Sequence, residues 1–92
     1  MRTIGGAVLA AGLLLSTGGA RATGLMTCES GPESGWRPQA ELQERLAAGG
    51  WQVRRIKVDG GCYEVYAIDP EGRRVEAYFH PVSLEHLRSF TR

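Results

Sequence analysis

The chain has 92 residues, of which 42% are hydrophobic and 23% charged, enough for one small domain. Eleven basic residues against ten acidic ones give a formal net charge of +1. That balance argues against an acidic or basic tail and against a general nucleic-acid binder.

Residues 1–22 read as a secretory signal. Arg2 supplies the positive start, Ile4 to Leu15 is uncharged, and Ala20-Arg21-Ala22 gives an A-x-A cleavage pattern. The apolar run is shorter than the roughly 20 residues a membrane span needs, so no stable span is expected after removal. A lipid anchor at Cys28 fits poorly, because Thr27 stands where lipobox sequences carry a small residue. Thr23 to Arg92 then forms the mature chain, with nine basic and ten acidic side chains. A core of that size needs a staple.

Cys28 and Cys62 are the only cysteines. In an exported chain a disulfide is the first reading, and its loop length implies about 3.5–4 kcal/mol of stabilisation. The competing reading is a small-ligand or metal site that adds His80 and His86, although the Cys and His spacings match no familiar zinc pattern. A thiol titration separates the two.

Residues 23–36 read as an extended arm without apolar periodicity. Pro38 to Gly49 reads as a helix, with Pro38 at its first position, Leu42 and Leu46 on one face and Gly49-Gly50 as the stop. Glu41 stands four residues before Arg45, the favourable order for an ion pair.

Three strands are expected next: Trp51 to Asp59, Cys62 to Asp69 and Arg73 to His80. Gly60-Gly61 as a two-residue hairpin loop pairs Val58 with Tyr63, Lys57 with Glu64 and Ile56 with Val65. Asp69-Pro70-Glu71-Gly72 as a type I turn with a glycine bulge pairs Ala67 with Val75, Val65 with Ala77 and Tyr63 with Phe79. Both hairpins then agree on one apolar face: Ile56, Val58, Tyr63, Val65, Ala67, Val75, Ala77 and Phe79. The opposite, polar face carries Arg55, Lys57, Glu64, Tyr66, Ile68, Arg74, Glu76 and Tyr78. Trp51 and Val53 have the wrong parity for the core unless a bulge near Arg54-Arg55 returns them. Cys62 falls on the polar side, so the arm must come round the sheet to reach it. After Pro81, Ser83 opens a short helical turn carrying Leu84, Leu87 and Phe90. The expected class is α+β: one helix packed on a three-stranded antiparallel meander, with an arm tied by a disulfide.

The strings Gly50-Trp51-Gln52-Val53-Arg54-Arg55-Ile56-Lys57, Gly61-Cys62-Tyr63-Glu64-Val65-Tyr66-Ala67 and Gly72-Arg73-Arg74-Val75-Glu76-Ala77-Tyr78-Phe79-His80-Pro81 resemble the PepSY domain family. The resemblance spans Pro38 to Pro81, within a domain read as 37–82, and leaves 83–92 as a tail. It implies a half-cystatin-like fold and a role in restraining or modulating peptidases at the cell envelope, with a periplasmic or secreted location. The family has no established catalytic residues, so it assigns none here, and no cofactor.

No serine stands in a nucleophile context, and no Ser-His-acid set can be placed. His80 and His86 read as solvent-facing or capping residues. Glu64 and Glu76 lie among Arg55, Lys57 and Arg74, which suits cross-strand ion pairs better than an acid/base pair. The basic pairs on the strands alternate between faces, so they line a solvated sheet rather than a nucleic-acid groove. Gly60-Gly61 could suggest a phosphate loop, but it joins two strands and opens no helix, so the turn is the better reading. Tyr66, Ile68 and Tyr78, with Arg55 and Arg74, form the candidate partner-binding face, since tyrosine combines apolar area with a hydroxyl. The function expected is a non-enzymatic exported module that binds another protein through this face or an edge strand. A weak enzyme has nothing in the sequence to motivate it beyond two histidines.

Overall fold

The computed structural model describes residues 24–92; the segment read as a signal lies outside the described residues. A 3-10 turn, Glu33–Gly35, precedes helix α1, Gln39–Ala48, and strands β1 (Gln52–Asp59), β2 (Cys62–Ile68), β3 (Arg74–Phe79) and β4 (His86–Thr91). The strands form one antiparallel meander in the order β1-β2-β3-β4.

Helix α1 forms where the sequence places it, and its ends show why. Pro38 is the cap rather than the first helical residue, with extended backbone at φ −64° and ψ 146°. Its carbonyl accepts from the Leu42 amide at 3.4 Å. At the other end Gly50 takes φ +93°. The Gly50 amide donates to the Ala47 carbonyl and the Trp51 amide to the Leu46 carbonyl, closing a Schellman motif. That motif turns the chain directly into β1. Glu41 pairs with Arg45 at 3.2 Å, as its spacing predicts, and also with Arg37 at 2.8 Å.

Both expected hairpin registers are present, residue for residue. Gly60 and Gly61 both have positive φ, as a type I′ loop requires. In the second loop Gly72 has φ +83°. The Asp69 carboxylate accepts from the amides of Glu71 and Arg73 and from the Arg73 guanidinium, all at about 3 Å. The register of β1 shifts between Val53 and Arg55, leaving Arg54 as the extra residue. This bulge returns Val53 and Trp51 to the apolar side, where both pack against the core.

The core is the apolar sheet face covered by α1. Leu42 and Leu46 cluster with Tyr63, Val65, Ala67, Val75, Ala77 and Phe79. Burying each leucine contributes roughly 1.5–3 kcal/mol. Val58 departs from the expected set: it shares this face but is 43% exposed, at the tip end of edge strand β1.

The sheet has four strands rather than three. His86–Thr91 pairs with β3 instead of forming the helical turn that the spacing of Leu84, Leu87 and Phe90 suggests. A terminal helix of seven or eight residues is weak in isolation, whereas pairing satisfies the backbone groups along the free edge of β3. The sharp connection holds Leu84 at φ +64° and buries it in the core, with its amide donating to the His80 carbonyl.

Candidate functional site

Cys28 and Cys62 are disulfide-bonded, as expected. This bond leaves neither sulfur as a thiolate for a metal. A disulfide fits an oxidising compartment. Around it the arm crosses the hairpin tip. The Cys28 amide donates to the Gly60 carbonyl at 2.8 Å, and Ser30 Oγ donates to the Gly61 carbonyl at 2.7 Å. The Gly24 amide donates to Asp59 Oδ2. A Cβ on Gly60 would collide with the Met26 carbonyl, and one on Gly61 with the Cys28 carbonyl at 2.6 Å. Two glycines are therefore needed both for their turn and for the close approach of the arm. Trp36 completes the clasp: its Nε1 donates to the Ser30 carbonyl, and its ring meets the Tyr63 ring edge-on.

The histidines take structural places. His80 Nδ1 accepts from the Val82 amide, so Nε2 carries the proton and donates to the Glu29 carbonyl at 3.2 Å. His86 stacks on Phe79 at 4.8 Å and meets the Trp51 ring edge-on, while Nε2 contacts Ser89 Oγ. No cluster of three or more His, Cys, Asp or Glu suited to a metal occurs among the described residues.

The face opposite the core is less open than its alternation suggests. Tyr78 and Glu64 are fully buried. Tyr78 lies between β2 and β4, opposite Glu64 and Arg88; its hydroxyl donates to Asp59 Oδ2 at 2.7 Å and its ring packs edge-on against Phe90. Tyr78 therefore supports the surface from below instead of presenting one. The arm and the fourth strand cause this change; parity placed the arm on this side through Cys62, but not the fourth strand.

Further along the same face Tyr66, Lys57 and Glu76 are half-buried and Arg92 is exposed. The Tyr66 ring lies between Lys57 Nζ at 5.6 Å and the Arg92 guanidinium at 5.1 Å. Burial, then the charges of Glu64 and Glu76, raise its phenol above the ordinary range. Glu64 is 3.9 Å from Lys57, and Glu76 is 3.5 Å from Arg92. Arg55 and Arg74, expected beside these acids, make no ion pair among the described residues. Burial pushes the Glu76 carboxyl up, and its hydrogen bond to Glu64 and the Glu64 charge push it further; Arg92 and Lys57 act the other way. Two carboxyls therefore lie close together on this face, with Glu76 opposite Tyr66 in the ladder, a feature visible in the sequence only as Glu64 and Glu76 on adjacent strands.

At the end of the sheet beyond Tyr66 the sequence reading placed Ile68 and Arg74 but not Arg54 or Arg92. Arg54, Ala67, Ile68, Arg74 and Arg92 line a shallow cleft of about 170 Å³ there. Arg54 reaches it from the β1 bulge. Arg92 is placed by its amide, which donates to the Arg74 carbonyl. The bulge was legible, but the approach of Arg92 depends on β4.

These elements define a small, disulfide-tied α+β module with a mixed aromatic and basic surface opposite its helix. The chain belongs to the PepSY family: the family model for the peptidase propeptide and YPEB domain matches residues 6–89. The match reaches past Pro81 to include the first four of the six residues of β4, and it also takes in most of the segment read as a signal. No curated protein and no solved structure matches the chain. Domains of this family are propeptide-like regulatory modules and generally non-catalytic. No helix among the described residues is long and apolar enough to cross a membrane.

Proposed function

We propose that the protein is a non-enzymatic exported module that binds and restrains a peptidase of the cell envelope. The family match over residues 6–89 is the observation that carries this reading. The disulfide, the signal-like segment at 1–22 and the accessible Tyr66 surface support it. On this reading the signal is removed and the chain works in the periplasm or outside the cell. Tyr66, Ile68, Arg55 and Arg74 contact the partner, while buried Tyr78 holds the surface in shape. No cofactor takes part.

The test is inhibition. The purified disulfide-bonded protein is titrated into envelope extract of the producing cell, and hydrolysis of a casein substrate is followed. Wild type should lower the activity in a saturable way and co-purify with the affected peptidase. Tyr66→Ala with Arg55→Ala should weaken both effects while the protein remains folded. Unchanged hydrolysis with no peptidase retained would refute the reading.

A further inference from the structure

The cleft at the open end of the sheet has a chemistry of its own. Three arginines, Arg54, Arg74 and Arg92, line it in a protein whose overall charge is close to zero. The neighbouring acids are committed elsewhere. Asp69 and Glu71 bind Arg73, and Glu76 pairs with Arg92 and lies against Glu64. Arg54 and Arg74 are exposed and make no ion pair among the described residues.

The positions of these arginines follow from the backbone. The bulge adds Arg54 to edge strand β1, and the ladder sets Arg74 opposite Ile68. Arg92 is tied to Arg74 through the backbone and lies over Tyr66. The remaining lining is half-buried Ile68 and Ala67; the Ala67 side chain is buried in the core, so Ile68 supplies the apolar floor. A guanidinium offers a planar fork that matches the two oxygens of a carboxylate. An apolar floor beside such forks suits a ligand with a short hydrocarbon stem ending in a carboxylate. A bare inorganic anion would leave that floor unused.

We propose that this cleft binds a glutamate side chain of an acidic peptide segment, held between Arg54 and Arg74 with its methylenes against Ile68. The proposal rests on the protein-binding reading and names the chemistry of the partner segment. The acidic side chain supplies the negative charge that the cleft lacks, and Arg92 adds a third positive group while keeping its contact with Glu76.

The experiment titrates the isotope-labelled, disulfide-bonded protein with N-acetyl-tetraglutamate amide and follows amide shifts by NMR. Shifts should concentrate at Arg54, Ala67, Ile68, Arg74 and Arg92. Arg54→Gln with Arg74→Gln should weaken binding about ten-fold or more. Arg37→Gln with Arg45→Gln removes the same charge from α1 and the residue preceding its cap, and should leave the affinity within about two-fold, since those arginines lie outside the cleft. Equal binding of the tetraglutamine peptide, an equal loss in the helix variant, or tighter binding of inorganic phosphate at the same amides would overturn the proposal. Binding is read without any peptidase, so peptide binding alongside failed inhibition would sink the peptidase reading alone. Inhibition without peptide binding would sink this one.

Discussion

Replacing both cysteines by alanine tests how the small core stays folded. The bond joins positions 34 apart in sequence. In the chain-entropy description, closing a loop of that size removes about 13 cal/mol/K from the unfolded ensemble, or about 4 kcal/mol at 25 °C. A core of this size supplies on the order of 3–5 kcal/mol net, so the bond accounts for nearly all of the margin. The lost bond also releases the arm, whose contacts at Gly60, Gly61 and Asp59 depend on Cys28 staying in place. Urea unfolding followed by tryptophan fluorescence reads the effect, because Trp36 sits in the clasp. With a slope of about 1 kcal/mol/M, the midpoint should fall by about 3–4 M, leaving the variant largely unfolded without denaturant. A loss below about 1 kcal/mol, with slope unchanged, would refute the entropic argument and show that the arm holds by its hydrogen bonds alone.

Leu42→Ala removes a side chain that is 1% exposed from the contact between helix and sheet, and should cost about 2–5 kcal/mol in the same assay. Gly61→Ala places a methyl against the Cys28 carbonyl at a backbone with φ +82°; it should destabilise the protein by more than about 1 kcal/mol, and the effect should shrink once the arm is released by Cys28→Ala. Glu76→Gln tests the carboxyl pair through pH. Its carboxyl is held above the ordinary 4.5, so the folded chain binds this proton more tightly than the unfolded chain. The resulting stability is present below pH 4.5 and is lost as pH rises through the folded value. The variant should therefore gain on wild type at neutral pH and lose that advantage as the pH approaches 4, in thermal melts across the range. Asp69→Asn should behave in the opposite sense. Burial raises that carboxyl, but the amide and guanidinium of Arg73 outweigh it and bring it below 3.8, so the penalty of substitution should be full at neutral pH and fade in acid.

Local chemistry determined much of this protein. Alternation of side chains with period two, together with Gly60-Gly61 and Asp69-Pro70-Glu71-Gly72, specified both hairpins, because a slip of one residue would send Val65, Ala77 and Phe79 to solvent. The conflicting parity of Trp51 and Val53 was enough to locate the bulge. Two cysteines in a chain with a signal-like start had one intramolecular pairing available. The fourth strand was not legible, since Leu84, Leu87 and Phe90 carry a helical spacing and only the free edge of β3 makes the extended form better. The same element decided the surface. It buried Tyr78 beside Phe90, brought Arg92 to Glu76 and Tyr66, and completed the cleft with Arg54 and Arg74. Strand parity says which face a side chain occupies, but what covers that face depends on contacts between distant segments, and those exist only once the sheet has closed around them.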